Sequence, residues 1–166
     1  MLFRSVGFPL GQMTTAVKLY ETRDAIARGA SEIDMVINVR ALRAGAVSLV
    51  REELTGMAEI CQEAGVVSKA ILETCFLTDA EKRTACESAV AAGLDYVKTS
   101  TGFGPAGATI ADVRLMREVV GARMGVKAAG GIRTLADALA MIDAGATRIG
   151  TSSAVAIVRE MVLHVA

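Results

Sequence analysis

Histidine is almost absent from this 166-residue chain: the only one, His164, stands third from the C-terminus. That scarcity argues against a Ser-His or Cys-His catalytic pair and against a His-rich metal site. Cysteine is equally thin. Cys61, Cys75 and Cys86 are odd in number and show no C-x-x-C spacing, so they read as reduced core or helix residues. No apolar run reaches the length of a membrane span, and the N-terminus lacks a charged-then-apolar signal pattern. Net charge is zero, with 18 acidic and 18 basic residues, and no basic block interleaves with aromatics. Binding to nucleic acid or membrane is therefore not expected, and the chain reads as cytoplasmic.

Lysine is also scarce, which makes its placement informative. Of the 18 basic residues only Lys18, Lys69, Lys82, Lys98 and Lys127 are lysines. Two of them sit in short apolar runs that read as strands, Tyr96-Val97-Lys98-Thr99 and Gly125-Val126-Lys127-Ala128. Arginine keeps its proton, whereas lysine loses it when desolvated or set beside another cation. A lysine placed where burial is costly is a candidate amine nucleophile.

The apolar fraction of 52% supports one packed domain over residues 1–166. One phrase recurs along it. Ala27-Arg28-Gly29, Glu63-Ala64-Gly65, Ala91-Ala92-Gly93 and Asp143-Ala144-Gly145 each end a helix on a left-handed glycine and lead into a short strand. Thr78-Asp79-Ala80-Glu81 is a capping box, and Thr109 and Thr134 open helices with aspartate three residues on. The pattern predicts helices over 14–28, 47–64, 79–92, 110–120, 135–144 and 153–164. It predicts strands over 3–8, 32–38, 67–73, 94–99, 125–128 and 147–150. Six alternating units imply parallel strands with right-handed crossovers, in an open doubly wound sheet or part of a (β/α)8 barrel. No G-x-G-x-x-G follows the first strand. Polar groups gather at the C-terminal strand ends, where barrel enzymes place their chemistry.

Strand alternation puts Tyr96 and Lys98 on one face, with Lys127 at the matching level of the next strand. Neighbouring ammonium groups and poor solvation both favour the neutral amine. Moving a lysine pKa from ~10.4 towards ~7 corresponds to about 4–5 kcal/mol. Asp34, a carboxylate in the apolar run Ile33-Asp34-Met35-Val36, is placed to move protons during imine formation and hydrolysis, or to serve as an ion-pair partner. Lys69 reads as an edge or snorkelling lysine, paired with Asp34 or Glu73. Gly130-Gly131 and Gly150-Thr151-Ser152-Ser153 follow the last two strands, where exposed amides and a helix N-terminus suit a phosphate. Gly7-Phe8-Pro9-Leu10-Gly11 is a strand-end turn that borders the same end.

Val97-Lys98-Thr99-Ser100-Thr101-Gly102, Val126-Lys127-Ala128-Ala129-Gly130-Gly131-Ile132-Arg133-Thr134, Glu32-Ile33-Asp34-Met35-Val36, Gly150-Thr151-Ser152-Ser153 and Val6-Gly7-Phe8-Pro9-Leu10-Gly11 together closely resemble the deoxyribose-phosphate aldolases. The resemblance runs nearly end to end. It implies a class I aldolase on a TIM-type barrel, here an incomplete barrel of about six βα units against the usual eight. The implied reaction is reversible cleavage of 2-deoxyribose 5-phosphate to glyceraldehyde 3-phosphate and acetaldehyde, with no metal or cofactor. Lys98 would form the Schiff base, Lys127 would lower its pKa, and Asp34 would assist proton transfer. Gly130, Gly131, Gly150, Ser152 and Ser153 would hold the phosphate. The family's barrel has further strands upstream of the segment matching Val6-Gly7-Phe8, bringing another carboxylate and part of the pocket wall. The expectation is a truncated form with weakened activity, whose exposed edges are covered by homo-oligomerisation. Another phosphate-binding barrel lyase using a lysine imine, or a non-catalytic fragment, are the alternatives.

Overall fold

A computed structural model describes residues 2–165. Six strands alternate with helices: β1 (Phe3–Val6), α1 (Thr15–Ala27), β2 (Glu32–Val36), α2 (Val39–Arg43), α3 (Val47–Ala64), β3 (Val67–Ile71), α4 (Asp79–Ala92), β4 (Tyr96–Lys98), α5 (Ile110–Val120), β5 (Gly125–Ala129), α6 (Leu135–Asp143), β6 (Arg148–Gly150) and α7 (Ala154–Val165). All strand pairs are parallel, and the spatial order is the chain order, β1 to β6. This sequential order is that of a barrel wall rather than of a doubly wound sheet, whose order reverses at a switch point. The wall curls: the Lys127 ammonium of β5 lies 5.1 Å from the Phe3 ring centroid of β1, and Arg148 of β6 pairs with Glu32 of β2.

The helix boundaries follow local chemistry. Thr78 and Thr134 each form a complete capping box, with Glu81 and Asp137 respectively. The Thr109 hydroxyl accepts from the Asp112 amide. Gly29, Gly65, Gly93 and Gly145 all adopt positive φ after their helices. The strands end one to two residues earlier than the sequence predicts for β1, β2, β3 and β4, because their last residues turn into the loops over the sheet. Two short elements escape the periodicity argument altogether, α2 and a 3-10 turn at Thr74–Phe76.

Alternation divides the sheet cleanly. Val6, Ile33, Met35, Ala70, Val97, Val126 and Ala128 point outward and are buried against the helices. The opposite face, inside the curl, carries Glu32, Asp34, Lys69, Tyr96, Lys98, Lys127 and Arg148, with Phe3, Val36 and Ile71 among them. Parallel strands are ordinarily covered on both sides, so this polar inner face is the exception that marks a site. On the helix layer, α6 and α7 leave Ile142, Val155 and Leu163 exposed, the last at 79%.

Candidate active site

Lys98 and Lys127 are direct cross-strand partners in the β4–β5 pairing. Both reach the same atom. The Lys98 ammonium lies 3.0 Å and the Lys127 ammonium 2.8 Å from Oδ2 of Asp34. Oδ1 of Asp34 accepts from Lys69 at 2.8 Å. Three lysines from three adjacent strands thus surround one carboxylate on a fourth.

The carboxylate has no access to solvent, so its charge depends on these partners. Burial alone would raise its pKa. The charge of Lys98 and the hydrogen bonds from Lys127 and Lys69 outweigh that and bring it down to about 2. Lys127 moves the other way from an exposed lysine: burial first, and the neighbouring Lys98 charge, lower its pKa against the pull of Asp34.

Lys69 is not the edge lysine that its sequence suggests. It is fully buried and pairs with Asp34 and Glu32 rather than with Glu73. Register explains this: Asp34 faces Lys69 directly across β2–β3, and Glu32 lies two residues back on the same face. Glu32 in turn pairs with Arg148, whose guanidinium stacks 4.7 Å from the Tyr96 ring centroid. Glu32 and Arg148 went unmarked in the sequence. The signal for Glu32 was its i, i+2 spacing from Asp34, which fixes both to one face of β2.

A groove of about 700 Å³ opens beside Lys98 and Lys127 at the C-terminal ends of β5 and β6. Gly130, Gly131, Gly150 and Ser152 line it, as does Arg133, a cation the sequence reading passed over. Gly130 and Gly131 have φ of +88° and +80°, a consecutive left-handed pair that turns the chain back over the groove. Ser153 does not line it. Its amide is taken by Oγ of Thr151 at 2.9 Å, and that hydroxyl donates to the Ile132 carbonyl at 2.6 Å. The 7–11 turn borders a different cavity, of about 880 Å³, through Pro9 and Leu10. Thr101 lines both cavities, and it is held by Glu73, whose carboxylate accepts from the Thr101 amide at 3.1 Å and from its hydroxyl. Glu73 holds a left-handed backbone, φ +53°, the one non-glycine residue among those described to do so.

Two cysteines are excluded as nucleophiles by their surroundings. Burial pushes the Cys61 thiol up to about 11 and the Cys86 thiol up to about 12.

Residues 9–160 match the model of the DeoC/LacD family aldolases. The chain belongs to that family. It is 63% identical over 154 residues to a deoxyribose-phosphate aldolase of Bacteroides thetaiotaomicron, covering 93% of this chain and 65% of that protein. It is 58% identical to the deoxyribose-phosphate aldolase of Thermococcus gammatolerans, covering 92% of this chain and 68% of the relative. Among solved structures, the aldolase QR15 superposes with a TM-score of 0.91 at 42% identity, over 98% of this chain and 72% of its own. A deoxyribose-phosphate aldolase from Aeropyrum pernix, described as a unique tetramer, superposes at 0.88 with 37% identity, over 96% and 67%. The chain thus spans about two thirds of the length of these relatives.

Proposed function

We propose that this chain carries a Schiff-base aldolase site whose substrate is 2-deoxyribose 5-phosphate. The observation that carries the reading is the convergence of Lys98 and Lys127 on one oxygen of the buried Asp34. Both amines share one carboxylate oxygen, so what one does with its proton bears on the other. The lowered pKa of Lys127 and the family's assignment of the imine to Lys98 are therefore compatible. A neutral Lys98 attacks the substrate aldehyde at C1, and loss of water leaves an iminium. The iminium accepts the electron pair of the breaking C2–C3 bond while the C3 hydroxyl gives up its proton. Glyceraldehyde 3-phosphate departs. The enamine left on Lys98 is protonated at C2, and water releases acetaldehyde.

Asp34, with a pKa of about 2, stays a carboxylate throughout. It steadies the cations around it and fixes where their protons lie, and does not itself carry one. Lys127, whose proton is loosened by burial, is the better placed donor. The amides of Gly130, Gly131, Gly150 and Ser152, with Arg133 at the wall, are the groups we assign to the phosphate; Ser153 belongs to the same turn, its amide held by the Thr151 hydroxyl. We assign the exposed apolar residues of α6 and α7 to contact with a second copy, in keeping with the tetramer reported for the Aeropyrum pernix protein.

The test is retro-aldol turnover of deoxyribose 5-phosphate, followed by coupling glyceraldehyde 3-phosphate to a dehydrogenase. Turnover lost in Lys98→Ala and kept in Ser153→Ala supports the assignment. Turnover of Lys98→Ala equal to the parent's removes it.

A further inference from the structure

The amines that form the reaction site are the upper end of a longer charge chain. It runs Arg148, Glu32, Lys69, Asp34, and then Lys98 and Lys127, alternating in sign until the last pair. Every link spans strands: β6 to β2, β2 to β3, β3 back to β2, then β2 to β4 and β5. The groups facing the two amines are therefore Asp34 and Glu32 from β2, Lys69 from β3, Tyr96 from β4, Arg148 from β6 and Arg133 at the groove wall. With Lys98 and Lys127 themselves, that is two carboxylates against five cations. One carboxylate, Asp34, touches the reacting amines. The other touches none of them.

We propose that Glu32 is a positioning residue of this site, which holds Lys69 on Oδ1 of Asp34 and so keeps Oδ2 for Lys98 and Lys127. The geometry supports this directly. Lys69 is completely buried and has two carboxylates within ion-pair distance, each on the inner face of β2. Glu32 takes part of the Lys69 charge, so Asp34 need not neutralise three ammonium groups alone. Arg148 sets how much of Glu32 is available, and its side chain, 29% exposed, is the member of the chain closest to solvent. The inference rests on the reading of Lys98 and Lys127 as the imine-forming pair, but its electrostatic content does not depend on turnover.

Trace acetylation of the full chain with acetic anhydride over a pH series, quantified for each lysine by mass spectrometry, reads the titration of Lys98 and Lys127 without any reaction. Glu32→Gln removes a negative charge and leaves three ammonium groups around Asp34. The midpoint for Lys98 and Lys127 should fall by about one pH unit. Arg148→Gln removes a positive charge and frees Glu32 for Lys69, so the same midpoint should rise. Opposite signs are not produced by a general loosening of the fold. In the Lys69→Met background, Glu32→Gln should no longer move the midpoint. Unchanged midpoints in Glu32→Gln with a parent-like circular dichroism spectrum overturn the proposal. If Glu32→Gln does not fold, Arg148→Gln decides, and an unchanged midpoint there overturns it equally. Midpoints that move in the variants while the parent chain forms no imine with acetaldehyde support the positioning role and reject the aldolase reading, so the two failures are separable.

Discussion

At the scale of single residues the site is governed by one carboxylate and the cations that compete for it. Asp34 is charged in the folded protein down to a pKa of about 2, whereas an unfolded aspartate titrates near about 3.9. Its folded value is depressed, so its contribution to stability is complete above about 3.9 and drains away as pH falls toward about 2. In Asp34→Asn that acid-sensitive part should vanish. The variant should also lose about 3–5 kcal/mol at neutral pH, because buried ammonium groups are left without a counter-ion; urea unfolding across pH measures both effects. Lys127→Leu acts on the neighbour. Removing the adjacent positive charge lets Lys98 keep its proton to higher pH, so the pH profile of imine formation should move upward while the circular dichroism stays unchanged. The amine pair and Asp34 were legible in the sequence because lysine and aspartate in short apolar runs are costly unless used. The burial of Lys69 was not legible, because its second partner depends on the β2–β3 register, which no single strand displays.

At the scale of elements, the helices clamp the ends of the strands. Lys18 on α1 and Glu53 on α3 form a pair 2.9 Å apart with neither side chain exposed. Lys18 also donates to the Val36 carbonyl at 3.0 Å, and Glu53 accepts from the Asn38 amide at 3.1 Å. Burial lowers the Lys18 pKa and raises that of Glu53, so each is pushed toward its neutral form. Removing one partner strands the other: Lys18→Met should cost about 3–5 kcal/mol, while Lys18→Met with Glu53→Leu should recover most of it. Chemical denaturation of the two variants decides this. A second clamp sits over the groove, where a Cβ on Gly107 would lie 2.2 Å from the Gly130 carbonyl oxygen. Gly107→Ala should displace the Gly130-Gly131 turn, raising KM for the phosphorylated substrate more than it lowers kcat. Threonine caps and glycine stops made α4, α5 and α6 legible to within a residue. Helix α2, only Val39–Arg43, escaped because five residues are too few for a periodic signal, although Asn38 caps it by accepting from the Ala41 amide.

At the scale of the whole molecule, six parallel strands curl around an interior crossed by charge pairs and by the Phe3–Lys127 contact. A closed eight-stranded barrel fills that interior with layers of packed side chains. Here β1 and β6 pair on one side only among the described residues, and α6 and α7 present apolar side chains to solvent. Light scattering at micromolar concentration should therefore report an oligomer, and Val155→Lys with Val158→Lys on α7 should shift it toward smaller species. The number and order of βα units were legible from the recurring glycine stops and strand runs. The curl was not, since it rests on contacts such as Phe3 with Lys127 and Glu32 with Arg148 between strands far apart in the chain.

The central claim is that these 166 residues assemble an activated amine at Lys98. Borohydride reduction in the presence of acetaldehyde, followed by peptide mass mapping, tests it most directly. The account predicts an ethyl adduct on Lys98, absent in Lys98→Ala and formed at higher pH in Lys127→Leu. A folded chain that carries no adduct, or carries it evenly on exposed lysines, would contradict it.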